Sequence, residues 1–211
     1  MSERISLKQA ERRAFTAAFE DGLWDIFIGC VVSMFAIAPF LSARLGDFWS
    51  SAVFLPFFAA VFLVIRALRK HVVVPRIGRV TFGAARKAKL MRFNFVMLAV
   101  NIGALALGAF AAVKFRSMSG WLIALMFALI LLTGASLAAY LLGFRRLYLY
   151  GLMLAVSPLV GEWVWVNKGA THHGFPITFG VTAGIMIFTG LVIFVRLLRH
   201  SPLPSLPSEE A

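Results

Sequence analysis

An all-α membrane protein, built as a bundle of six transmembrane helices, is the fold class that the sequence predicts, and three observations predict it. The chain is 61% apolar and only 14% charged, with mean hydropathy +0.88, whereas soluble domains are nearer half apolar. Its apolar residues gather in six continuous runs, at 22–43, 49–68, 93–113, 120–143, 147–166 and 176–195. Each run is close to the about 20 residues that a helix rising about 1.5 Å per residue needs to cross a hydrocarbon core about 30 Å thick. Finally, the runs do not alternate polar and apolar residues as barrel strands do, which selects helices over a β-barrel.

The elements follow in order. Residues 1–20 form a cytoplasmic leader of mixed charge, partly helical, with no short apolar core before a small-residue cleavage site, so no removable signal peptide is expected. The first crossing opens on FEDGLWDIFIG, residues 19–29. Between the second and third crossings lies RALRKHVVVPRIGRVTFGAARKAKLMR, residues 66–92, with nine basic residues and no acid. There Val72–Val74 and Val80–Phe82 flank Pro75 and Gly78, a pattern that predicts a short β-hairpin on the inner surface. Residues 83–90 lead into the third crossing as a basic helix. Pro39, Pro56 and Pro158 mark bends in three helices, and the Pro- and Ser-rich tail, residues 199–211, reads as disordered. The whole is one transmembrane domain, residues 21–198.

Orientation follows from the charges. With the N-terminus inside, seventeen of the 21 basic residues fall on the inner side, and only Arg44, Lys114, Arg116 and Lys168 fall outside. The positive-inside rule therefore predicts both termini in the cytoplasm. Trp49, Trp121, Trp163 and Trp165 fall at the predicted outer boundary, and Tyr140, Tyr148 and Tyr150 at the inner one, the levels that amphipathic rings prefer. The expected location is the cell membrane, which for a bacterium is the inner membrane.

A pI near 11.1 points to anionic lipid headgroups rather than nucleic acid, because the basic residues lie between apolar runs and not on a soluble recognition face. Cys30 is the single cysteine, so no intrachain disulfide or CxxC metal site forms. The sequence contains no phosphate-binding glycine loop, no HExxH, no GxSxG and no dinucleotide fingerprint. No cofactor is expected.

Three acids stand out as boundary residues: Asp21, Asp25 and Glu162. Asp21 and Asp25 are four apart and share a helix face, where like charges cost a few tenths of a kcal/mol and the helix N-terminus returns about 0.3 to 1 kcal/mol per acid. Three readings follow: Asp21 as N-cap with Asp25 a solvated first-turn acid, Asp25 paired with Arg76 or Arg79 of the basic loop, or a proton or cation site. Arg66 and Arg69 join Arg76 and Arg79 as residues for anionic lipid or for pairing with these acids. Glu162, about 24 Å along its helix from Leu147, belongs near the outer boundary, too far from Asp25 to form a catalytic pair. His172 and His173 are weak metal candidates, since adjacent side chains diverge and zinc needs three or four convergent ligands. Asn101, Ser157 and Thr182 read as helix-packing residues.

FEDGLWDIFIG, PRIGRVTF, RRLYLYG and RLLRHSPLP together resemble motifs of a family of uncharacterised prokaryotic polytopic integral membrane proteins. The resemblance implies a self-contained membrane fold and carries no activity. For function the leading expectation is a non-enzymatic accessory or binding component that acts through helix packing, lipid, a membrane-protein partner or a second copy of itself. A small ion- or proton-coupled transporter or channel using Asp25 or Glu162 is the first alternative, and a lipid-modifying enzyme the second.

Overall fold

The computed structural model describes residues 19–77, 91–100, 102–103, 106 and 119–201. The leader before residue 19, the second half of the predicted hairpin, Arg79, Asn101 and most of the tail lie outside the described residues. Within them the chain is helical and has no strands. Five helices are long and apolar enough to cross a membrane.

Helix α1, Leu23–Gly46, ends where Gly46 adopts φ 77°, and α2, Phe48–Arg76, begins directly after it. The boundary that the sequence puts between residues 43 and 49 thus reduces to one glycine, because only a residue without Cβ takes that backbone angle freely. Helix α3, Met91–Val100, is a shorter apolar helix that begins two residues before the run predicted at 93–113 and covers its start. Helix α4, Gly120–Leu142, starts at Ser119, whose hydroxyl accepts the Leu122 amide, and ends at Gly143. Helix α5, Arg146–Lys168, closes on Gly169, and α6, His172–His200, opens with a 3₁₀ turn before Pro176 at its second regular position.

The predicted first strand of the hairpin is corrected. Val72–Val74 are helical, because α2 runs past residue 68 through a π turn at Arg69–Val73 and on to Ile77. The β-branched valines suggested a strand, yet continuing the helix keeps their amides bonded without a partner strand, which an isolated hairpin would need.

Helix α1 packs most extensively against α6, α4 against α5, and α5 against α6, so that α4, α5, α6 and α1 follow one another across the bundle with α2 laid on α1. Small residues set the α1/α6 crossing. A Cβ on Gly190 would stand 2.6 Å from the Gly22 carbonyl, and one on Gly29 would meet Ile187 and the Ala183 carbonyl. Phe19, Val32, Ala36, Phe144, Tyr150 and Met186 are among the side chains of the shared core. As a result the N-terminal ends of α1 and α5 and the C-terminal ends of α2 and α6 gather at one end of the bundle, rich in arginine, and Glu162 lies at the other.

Candidate functional site

At the basic end two carboxylates are taken out of solvent and each is matched by its own arginine. Asp21 is 1% exposed and Asp25 0%. Gly22, with φ 77°, is the N-cap of α1, and Asp21 stands one residue before it. From there its Oδ1 still accepts the Leu23 amide at 3.1 Å, satisfying one of the unpaired donors at the helix start. Its Oδ2 receives Arg69 through Nε at 3.1 Å and through Nη2. The Arg69 guanidinium lies 5.8 Å from the Trp24 ring, so α2 is fastened to the start of α1 at the residue where its π turn begins.

One turn on, Asp25 receives Arg146 from α5 through Nε to Oδ1 at 3.2 Å and through Nη2 to Oδ2 at 2.9 Å. Tyr150 adds its hydroxyl to Oδ1 at 2.6 Å. Arg146 and Tyr150 are four apart at the beginning of α5, so both side chains rise from one face and reach a single carboxylate. Nη2 of Arg146 also donates to the Phe19 carbonyl at 2.7 Å, and the guanidinium sits 5.2 Å from the Phe144 ring. A bidentate arginine with a phenol donor is among the stronger sets of hydrogen bonds available to a buried carboxylate. Repulsion between the two acids, tolerable only in water when considered alone, is offset by two cations arriving from different helices.

Two sequence expectations change here. Asp25 is buried in protein rather than solvated at headgroup level, and its partner is Arg146 rather than Arg76. Arg76 instead donates from Nη1 to the Val72 carbonyl at 2.8 Å, its Nε buried without a hydrogen-bond partner among the described residues. Arg66 is exposed in the last α-helical turn of α2 before the π turn. Sequence reasoning missed Arg146 and Tyr150 as site residues. The signal was present as an arginine and a tyrosine spaced i, i+4 at a helix start predicted on the same side as Asp25.

At the opposite end Glu162 is 3% exposed, deeper than the interfacial placement expected. His173 Nδ1 lies 2.8 Å from its Oε2, and the imidazole packs on Trp165 with ring centroids 4.2 Å apart and the planes tilted by 38°. Gly120, the first residue of α4, leaves room for the carboxylate: a Cβ there would collide with Oε1. His172 turns away toward the edge of Phe40. Both histidines hold positive φ, 52° and 54°, a strained choice for residues with a Cβ. Among the described residues no three His, Cys, Asp or Glu side chains come together to hold a metal.

Tyr150 and Glu162 are twelve residues apart on α5, about 18 Å. Between them Ser157 bonds to Thr182 of α6 at 2.9 Å and to the Met153 carbonyl at 2.8 Å. Leu154 and Met186, both buried, fill the layer between that pair and Tyr150. The two acid clusters are therefore separate.

Fold and site together define a polytopic helical membrane protein whose buried acids are each hydrogen-bonded to a partner within the bundle. Comparison of the chain with protein-family models, curated proteins and solved structures gives no match.

Proposed function

We propose that this chain is a non-enzymatic component of the cell membrane, crossing it six times with both termini in the cytoplasm, and that it acts by binding a membrane partner or lipid. The sixth crossing is the run at 93–113, of which α3 is the beginning. The observation that carries the reading is the closure of Asp25, the acid best placed for ion or proton coupling: Arg146 and Tyr150 occupy both of its oxygens in a site without solvent contact. A coupling carboxylate must exchange its ion with water, and opening this one would part a fully buried acid from the half-buried Arg146 that matches its charge, at a cost of several kcal/mol. Glu162 is likewise engaged, by His173.

The test is flux in reconstituted vesicles loaded with a pH dye and a potassium gradient. Wild type, Asp25→Asn and Glu162→Gln are all expected to match protein-free vesicles. A wild-type flux that either substitution abolishes would overturn the proposal in favour of a transporter.

A further inference from the structure

The part of α6 that faces away from α1 and α5 is not uniformly apolar. An open groove of about 420 Å³ runs along it, walled by Phe188, Leu191, Val192 and Val195 and ending at Arg196, Arg199 and His200. The spacing i, i+3, i+4, i+7 keeps these positions on one face of the helix. From Phe188 to Val195 the wall is about 10 Å long, and Arg199 lies about 16 Å from Phe188. The hydrocarbon of one leaflet is about 15 Å deep, half of the bilayer core. The apolar wall therefore covers about two thirds of the depth of one leaflet, the part of a lipid tail nearest the headgroup, with cations at the level of the headgroup.

Charge decides the occupant. At the same end of the bundle Arg69 and Arg146 are engaged by Asp21 and Asp25, but Arg196 and Arg199 are exposed and have no acidic partner among the described residues. The sequence of α6 contains no Asp or Glu. His200 Nδ1 donates to the Arg196 carbonyl at 2.8 Å, which holds the ring at the end of the groove. A second copy related by a two-fold axis along the membrane normal would bring both sets of cations together, and like charges oppose that contact. A phosphate instead suits two guanidinium groups one helical turn apart.

We propose that this groove binds one anionic phospholipid, its acyl chain along Phe188 to Val195 and its phosphate on Arg196 and Arg199. The proposal depends on the reading above only for assigning the basic end to the inner leaflet.

The experiment uses the full chain reconstituted in vesicles of equimolar phosphatidylglycerol and phosphatidylcholine, extracted in mild detergent and examined by native mass spectrometry. Wild type is expected to retain one phosphatidylglycerol in preference to phosphatidylcholine. Arg196→Gln with Arg199→Gln should lower that retention about twenty-fivefold, at about fivefold per arginine. Arg92→Gln with Arg145→Gln, exposed cations outside the groove, should leave it within about twofold of wild type. Leu191→Trp, which fills the apolar wall while keeping every charge, should also lower retention. Equal retention of both lipids, an equal loss in the Arg92/Arg145 variant, or a two-chain species that Leu191→Trp dissociates would each overturn the site. Sidedness is read separately, by impermeant maleimide on Ser201→Cys in a Cys30→Ser background. Labelling from outside would refute the inner-leaflet assignment while the lipid-retention result stands.

Discussion

The Asp25 carboxylate has three donor atoms aimed at it from α5 and no solvent contact, so the penalty for removing one partner exceeds the value of the contact removed. Arg146→Gln leaves a buried acid without a counter-charge and should destabilise the protein by about 3 to 5 kcal/mol. Asp25→Asn combined with Arg146→Gln should recover part of that loss, since neither charge is then stranded. Unfolding titrations in mixed detergent micelles measure both, and a double variant worse than the sum of the singles would refute the pairing. Tyr150→Phe keeps the ring in the core but removes one hydrogen bond to a charged group, for an expected loss of about 1.5 to 3 kcal/mol. At the other cluster, Gly120→Ala puts a methyl into the Glu162 carboxylate. It should displace that group from His173, seen as a shift of the His173 imidazole resonances, whereas Gly184→Ala, with open space around it, should not move them.

At the scale of elements, the close crossing of α1 and α6 depends on glycine at the contact. Gly190→Ala forces a methyl against the Gly22 carbonyl and the Ile26 amide, backbone atoms that cannot swing aside. Overpacking of that kind costs about 1 to 3 kcal/mol, and it should lower the melting temperature in detergent more than Gly103→Ala, which meets open space. The Ser157–Thr182 bond is a lesser join between α5 and α6. A double-mutant cycle with Ser157→Ala and Thr182→Val should give a coupling near 0.6 kcal/mol, typical of hydroxyl pairs between membrane helices. A coupling above about 2 kcal/mol would mean that this pair governs the packing, contrary to the dominance of the α1/α6 contact. The helical continuation of α2 through Arg69–Val73 shows why local propensity misled at the valines. The pattern VVV is β-prone by itself, but a helix already formed extends by satisfying each new amide within its own turn, whereas a strand there would need a partner.

On the scale of the whole molecule, α1 is the hub: its N-terminal end is tied to α2 through Asp21, to α5 through Asp25, and to α6 through the Gly22–Gly190 contact. The two clasps lie one turn apart, so Arg69→Gln and Arg146→Gln should not add, each weakening the placement of the helix start that the other needs. Hydrogen exchange at the beginning of α1 should rise in either single variant, and independent, additive effects would show that the clasps are separate.

The sequence by itself determined the helical character and the five stretches apolar enough to cross a membrane, although it ended the second at residue 68 where the helix continues to Arg76, because the cost of exposing backbone or charge to hydrocarbon is set by residue type and run length alone. It also marked Asp21, Asp25 and Glu162 as charges needing an explanation. Which partners they take was decided only by the tertiary structure. Asp25 and Arg146 are 121 residues apart, and several arginines predicted at the same end were equally eligible on charge. The choice fell to helix order across the bundle: α5 presents Arg146 and Tyr150 toward α1, α2 presents Arg69 beside Asp21, and the cations of α6 face outward. Charge can be read along a chain, but its neutralisation depends on which helix faces stand within about 3 Å of each other, and packing sets that.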